Sequence, residues 1–210
     1  MAMTLQLDRG RTRFWLPGLV LALGVLFSLW LQRYSQDGVL FSGDAGLKAL
    51  LAQQLGTGNF SLDLQLPALP WVADLWQAGL YPFTPPYAYG IEDKYFITFP
   101  FTFPAVTAPF YALLGYRGLY VVPLVALWAI WGRFWQICHR QGLPAPVTAL
   151  ALAGLVLASP LLPYGGMYWE HTLAVALAFW GGDARPKAGR HPYRAGGRRC
   201  FGGRCRMVSA

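Results

Sequence analysis

Asp44 is an acidic residue that follows the first apolar segment after only a short polar stretch, in the sequence Ser42-Gly43-Asp44. A carboxylate is ionised at neutral pH, and as a general base it typically accelerates a reaction by ~10²- to 10⁴-fold. At a membrane surface, such a group suits chemistry on a lipid-borne substrate. The alternative is a structural role, in which the helix dipole favours Asp44 at a helix start and Asp44 pairs with Lys48.

Four further ionisable residues are candidates for substrate binding. Lys48 and Arg117 are outer cations near predicted membrane boundaries, so they could bind a donor phosphate through charge-assisted hydrogen bonds. Snorkelling to the interface is the commoner reason for such residues. Glu170 and His171 lie at the outer end of an apolar segment, where ionisable side chains are costly unless they are useful. The alternative is that both only mark the water interface beside two aromatic residues.

Composition indicates an integral membrane protein. Hydrophobic residues make up 55% of the 210 residues and charged residues only 12%. The net charge of +8 is concentrated in the last 28 residues, because residues 1–182 hold 9 Lys and Arg against 8 Asp and Glu, whereas 183–210 hold 8 against 1. We therefore expect membrane lipid as a partner and no nucleic acid.

Soluble cofactor chemistry has no signature in the chain. The sequence contains no P-loop, no HExxH pair and no dinucleotide fingerprint, and its cysteines, at 138, 200 and 205, lack the C-x-x-C spacing. We assign no metal ligand and no certain cofactor.

Apolar runs predict an all-α integral membrane fold with about three complete transmembrane helices and a partial fourth. Arginines at 9, 11 and 13 precede the first run, which places the N-terminus in the cytoplasm and predicts a multi-pass protein of the cytoplasmic (inner) membrane. A cleaved signal peptide is disfavoured, because no small-residue cleavage site follows. The predicted spans are 14–32, 113–134, 145–163 and, in part, 172–182; residues 1–13 and 135–144 are cytoplasmic, and 33–117 and 164–171 are extracytoplasmic.

The large outer loop is predicted to contain two elements. Leucines at helical spacing, after a possible Ser42 cap and before Gly56, predict a short amphipathic helix over 43–55 on the outer membrane surface. Strand-forming residues predict a small β-hairpin over Tyr87–Thr98 that turns at Glu92–Lys94. Segment Phe99–Pro104 is rich in proline and aromatic residues, so we expect neither helix nor strand there but an interfacial position.

After the third span, the chain does not contain another apolar segment long enough to cross the membrane. The return segment Thr172–Trp180 has nine residues and covers roughly 14 Å, about half the hydrocarbon thickness. Charged residues then follow, which would be stranded in lipid. We expect that the chain leaves its native frame near Gly181 or Gly182, so that 183–210 is an out-of-frame, disordered basic tail. The alternative is a genuine basic tail that binds anionic lipid or nucleic acid.

The order of these parts resembles the GT-C superfamily of lipid-linked-sugar glycosyltransferases, which are multi-spanning enzymes that use a dolichyl- or undecaprenyl-phosphate sugar. The resemblance covers residues 14–180. It consists of a first span, the sequence Ser42-Gly43-Asp44 on a juxtamembrane helix, the segments Tyr95–Phe101 and Pro109–Gly115 before the next span, and the aromatic-acid element Tyr168–His171 before another.

The resemblance implies roles for two acidic residues. Asp44 takes the place of the family's outer-loop aspartate, the general base that deprotonates the acceptor hydroxyl, and Glu170 is the candidate for an additional acidic residue that assists in acceptor or metal binding. A divalent metal is therefore left open. The chain would be the N-terminal part of a transferase with a polyprenyl-phosphate sugar donor, so we expect glycosyltransferase activity from the full-length protein and none from this fragment alone. The alternatives are a non-catalytic assembly or scaffold subunit with a partner-binding aromatic outer loop, and a transporter fragment, which the position of the charges at span ends disfavours.

Overall fold

The computed structural model describes residues 3–34, 40, 42–65, 74, 76–79, 83–92 and 94–182, with the helix alone given for 3–14. The predicted basic tail 183–210 lies outside these residues. The described part is mostly helical with one small sheet. In chain order its elements are α1 (Met3–Gln32), α2 (Gly43–Gly56), β1 (Ala88–Ile91), β2 (Lys94–Ile97), α3 (Thr102–Leu114), a 3₁₀ helix (Gly115–Tyr120), α4 (Val121–Arg140), α5 (Ala145–Leu157), α6 (Leu161–Gly166) and α7 (His171–Gly181).

Two helical stretches of the described chain are long and apolar enough to cross a membrane, Trp15–Gln32 and Thr102–Arg140. The first belongs to α1, which begins at Met3 and so extends well before the predicted start of the span at residue 14. The second is interrupted at Gly115, whose φ of 63° lies in the left-handed region that glycine adopts readily. Its 20-residue helix α4 covers about 30 Å, which matches the hydrocarbon thickness.

The three complete spans predicted from the sequence are not confirmed. Residues 145–163, predicted as one span, form the 13-residue helix α5, a break and the short helix α6. Pro160 lies at the break, and proline has no N–H with which to continue a helix. At 13 and 11 residues, α5 and α7 cover roughly 20 Å and 16 Å.

Helices α1, α4, α5 and α7 pack together. Helix α1 lies along α5 and also contacts α4, while α7 lies along α4. Leu127 and Trp131 of α4 are fully buried together with Leu152 of α5. The indole of Trp128 donates a hydrogen bond of 3.0 Å to the Ser28 hydroxyl, which joins α4 to α1.

Helix α2 is confirmed as a helix, but both of its sides are covered by protein. Ala45 and Ala49 belong to a buried cluster with Phe103 of α3 and residues of the 3₁₀ helix. Leu47 and Leu51 belong to a second cluster that includes Trp76 and the hairpin. The helix therefore lies between two protein layers rather than presenting one uncovered apolar face, as an amphipathic surface helix would.

The predicted hairpin is present, and the helix that follows it was not predicted. Strands β1 and β2 are antiparallel with Ile91 opposite Lys94, and Glu92 in the turn has a φ of 50°. The expectation that Phe99–Pro104 forms no helix was wrong in its last part, since α3 begins at Thr102. Proline in a first helical turn loses no intrahelical hydrogen bond, so Pro104 is compatible with this start.

Gly118 lies where the 3₁₀ helix folds back against α3. A Cβ added at this position would overlap the backbone carbonyl of Phe110, and a backbone group cannot turn away as a side chain can. We expect Gly118→Ala to destabilise the protein by about 2–3 kcal/mol, as overpacking does elsewhere. The measurement is the midpoint of thermal unfolding in detergent.

Gly132→Ala is the matched control, because a Cβ there meets nothing within 4 Å and the residue lies inside α4. Alanine stabilises a helix interior relative to glycine by up to about 1 kcal/mol. Equal melting temperatures of the two variants would contradict the close backbone approach at Gly118.

Candidate functional site

The ammonium of Lys48 joins two carboxylates that are far apart in the sequence. Lys48 Nζ lies 2.8 Å and 2.7 Å from the two carboxylate oxygens of Glu170, and 3.3 Å from Oδ2 of Asp44. The contact between Lys48 and Asp44 is the predicted pair between residues four positions apart. We call these three residues the Lys48 cluster. The fold thus brings together three of the five predicted site residues.

The cation of the cluster is buried, whereas its two acids reach the surface. The Lys48 side chain is 1% exposed, that of Asp44 22% and that of Glu170 36%. The Phe99 ring centroid lies 4.5 Å from Lys48 Nζ, a distance at which the face of a ring attracts a cation. Lys48 therefore contacts both carboxylates from the protein interior.

Ser42 connects Asp44 to the segment that contains Glu170. As the N-cap of α2, the Ser42 hydroxyl accepts a hydrogen bond from the Ala45 backbone N–H at 3.4 Å. The same oxygen accepts a bond of 2.9 Å from the Trp169 indole.

Asp44 has a lowered pKa in this setting. Burial acts in the opposite direction and raises the pKa, but the hydrogen bond with Ser42 and the positive charge of Lys48 outweigh it. The pKa of Asp44 therefore lies below its ordinary value of 3.8, and the carboxylate is ionised at neutral pH.

Three aromatic rings from the segment around Glu170 contact one another. Trp169 lies 5.0 Å from His171 and 5.5 Å from Tyr164, and the Tyr164 and His171 centroids are 5.2 Å apart. His171 is exposed, and the other two rings are half-buried. We call these three residues the aromatic cluster. His171 therefore lies next to the Lys48 cluster, because it follows Glu170 in the sequence and its ring contacts Trp169.

Tyr168 fixes the segment that carries both clusters. Its side chain is 1% exposed, its hydroxyl lies 2.7 Å from the Thr107 hydroxyl, and its ring contacts Phe103 at 4.9 Å between centroids. Burial raises the pKa of Tyr168, so the phenol stays protonated and can donate a hydrogen bond. Helix α3 therefore holds residues 168–171 against α2.

Arg117 lies apart from the interactions that define the two clusters. It is an exposed residue of the 3₁₀ helix, whose Leu119 and Tyr120 belong to the same buried cluster as Ala45 of α2. The proposed binding of a donor phosphate by Lys48 and Arg117 stays a prediction. As placed, the ammonium of Lys48 already donates to two carboxylates.

Ser42 and Trp169 are polar contributors to the site that sequence reasoning did not identify as such. The sequence indicated Ser42 as a possible helix cap and as part of Ser42-Gly43-Asp44, and Trp169 as part of the aromatic-acid element Tyr168–His171, with no hydrogen bond between them. Their hydrogen bond joins positions 127 residues apart, and no local pattern in the sequence signals such a pair.

The arrangement offers hydrogen-bond acceptors to a hydroxyl-bearing ligand. Two partly exposed carboxylates face one buried ammonium, and an ionised carboxylate has about four acceptor sites, of which Lys48 uses only some. Within the described residues no three His, Cys, Asp or Glu lie close enough to hold a metal ion. A divalent metal between Asp44 and Glu170 would have to displace the Lys48 ammonium, and the metal stays a prediction.

Comparisons with protein-family models, with curated proteins and with solved structures give no match for this chain.

Proposed function

We propose that the chain is the N-terminal part of an integral membrane glycosyltransferase that moves a sugar from a polyprenyl-phosphate donor to an acceptor on the outer side of the cytoplasmic membrane. The observation that carries the proposal is the meeting of Asp44, Lys48 and Glu170, with both acids accessible. The two helical stretches of spanning length support a membrane location. Three complete spans, a partial fourth and a cytoplasmic N-terminus belong to the same proposal.

Asp44 is the proposed general base. The acceptor hydroxyl donates its proton to the carboxylate while its oxygen bonds to the anomeric carbon of the sugar. The bond between that carbon and the phosphate oxygen breaks, and the electron pair leaves with the lipid phosphate. A phosphate is a stable leaving group, so a weak but fully ionised base such as Asp44 is sufficient to accept the proton as the new bond forms.

The charges of the site favour different residues for binding the acceptor and the donor phosphate. The Lys48 cluster carries two negative charges and one positive charge, which favours neutral hydroxyl groups over a phosphate. Arg117, exposed on the neighbouring 3₁₀ helix, is the proposed ligand of the donor phosphate.

The test of this function is turnover of the donor. Membranes from cells that produce the full-length protein, of which this chain is the proposed N-terminal part, are incubated with labelled polyprenyl-phosphate hexoses and pentoses, and the loss of sugar from the lipid is followed. We expect faster loss than in membranes without the protein, because only the former contain the proposed base. Equal rates for every donor would support the non-catalytic alternative.

The proposed orientation is tested on the same chain. Alkaline phosphatase fused after Asp44 is expected to be active, since that enzyme folds outside the cytoplasm, whereas a fusion after Arg140 is expected to be inactive. The reverse pattern would place the Lys48 cluster in the cytosol and exclude the proposed reaction on the outer side.

A further inference from the structure

The aromatic cluster has a feature that the proposed reaction does not use. His171 is stacked on both other rings, at interplanar angles of 26° with Tyr164 and 30° with Trp169, while Tyr164 and Trp169 are tilted by 38° to each other. Because His171 is exposed, the cluster is open to a ligand on at least that side. With centroids 5.0–5.5 Å apart, the rings cover part of one another's faces, so the surface open to a ligand lies at the exposed His171, with Tyr164 and Trp169 as its support. We call this surface the platform.

The rings are held in place by separate parts of the fold. Tyr164 belongs to α6, His171 begins α7, and Trp169 lies on the connection between them. The Trp169 indole donates to Ser42 of α2, and the neighbouring Tyr168 is anchored on Thr107. The platform therefore exists before a ligand arrives, which reduces the entropy that binding must overcome.

The platform adjoins the acceptors of the Lys48 cluster. Glu170 lies between Trp169 and His171 in the sequence, is 36% exposed and keeps carboxylate lone pairs that Lys48 does not occupy. Ser42 contacts both the Trp169 indole and Asp44, so the platform and the proposed base are joined through one side chain.

We propose that the aromatic cluster binds the acceptor and that the acceptor is a neutral saccharide. One face of a pyranose ring presents several C–H groups, which complement the electron-rich face of an aromatic ring, while the hydroxyl groups point outward to the ring edge. An aromatic face next to carboxylate acceptors satisfies both parts of such a ligand. The excess negative charge of the Lys48 cluster disfavours an anionic acceptor. This inference rests on the proposed function, in which Asp44 deprotonates a hydroxyl of that ligand.

Saturation-transfer NMR on the 210-residue chain in lipid nanodiscs tests this inference. The probes are the methyl pyranosides of glucose, mannose, galactose and xylose at millimolar concentration. We expect at least one probe to receive saturation from the protein, strongest at the C–H protons of one ring face. Trp169→Leu removes a ring that supports His171, and we expect it to weaken binding of that probe by about tenfold.

Trp30→Leu is the matched control, because Trp30 is 50% exposed on α1 and lies outside the aromatic cluster. We expect its binding to equal that of the wild type. His171→Leu serves as a second variant, since the loss of an exposed ring leaves the core intact even if Trp169→Leu fails to fold. It should weaken the same probe.

Two results would overturn the inference: no saturation on any probe, or saturation that both Trp169→Leu and His171→Leu leave unchanged. Either result can occur while the protein still consumes the lipid donor, and the proposed function would then stand without a saccharide acceptor. Conversely, glycoside binding that depends on Trp169 and His171, in a protein that consumes no donor, would support the saccharide site and reject the transferase.

Discussion

Lys48→Met lowers the stability of the protein by about 2 kcal/mol, an expected result that follows from the position of this ammonium between two acids. Methionine has a similar length to lysine, but it leaves Asp44 and Glu170 without the cation that both of them contact. Breaking a fully buried ion pair costs about 3–5 kcal/mol. The value here is smaller because Asp44 and Glu170 are 22% and 36% exposed, so that water can solvate them. For a chain of this length the corresponding fall in melting temperature is roughly 4–8 °C.

Lys94→Met is the control for the loss of one positive charge. Lys94 is exposed on β2, and we expect its replacement to change stability by less than about 0.5 kcal/mol. Adding Asp44→Asn and Glu170→Gln to Lys48→Met should recover part of the loss, because the unpaired negative charges are then removed. If the triple variant were no more stable than Lys48→Met alone, repulsion between the two carboxylates would not be the cause.

Asp44→Asn in the full-length protein reduces donor turnover by about 10²- to 10⁴-fold, the usual contribution of a general base. The fold should persist, because Lys48 keeps both of its shorter bonds to Glu170 and an asparagine can still accept from Lys48. The measurement is the rate of sugar loss from the labelled lipid, compared at equal protein content of the membrane. Asp63→Asn is the matched control, since it removes a carboxylate that lies between α2 and β1 and outside the Lys48 cluster.

The pH dependence of turnover distinguishes Asp44 from other groups. A lowered pKa means that the stabilising negative charge of Asp44 is fully present above pH 3.8 and is lost only as the pH falls through the still lower value of the folded protein. Asp44 therefore produces no decline in rate between pH 7 and pH 5.

Unchanged turnover in Asp44→Asn, with normal insertion into the membrane, would remove this residue from the mechanism.

Local patterns in the sequence were sufficient for some elements of the fold. The hairpin follows from strand-forming residues on both sides of a polar turn, and α2 follows from leucine spacing after Ser42. The contact of Asp44 with Lys48 was predictable for the same reason, because residues four apart meet on one helix face.

The features that could not be predicted from the sequence depend on contacts between distant parts of the chain. The second partner of Lys48 is Glu170, 122 residues away, and no periodic pattern connects the two. The two-sided burial of α2 depends on Trp76, the hairpin and α3, which lie in three different segments of the chain between α2 and α4. Helix α3 was missed because its prolines were given too much weight, although Pro104 occupies the first turn.

The ion pair between Lys48 and Glu170 also sets an order of events during synthesis. At about 5–20 residues per second, a ribosome needs on the order of 6–24 s to add the 122 residues that separate the two partners. Until then Lys48 has only Asp44 as an anionic partner within this cluster, and α2 lacks the Trp169 indole at Ser42. A nascent chain arrested before residue 168 should therefore expose Lys48 to chemical acylation, and release of the arrest should protect it.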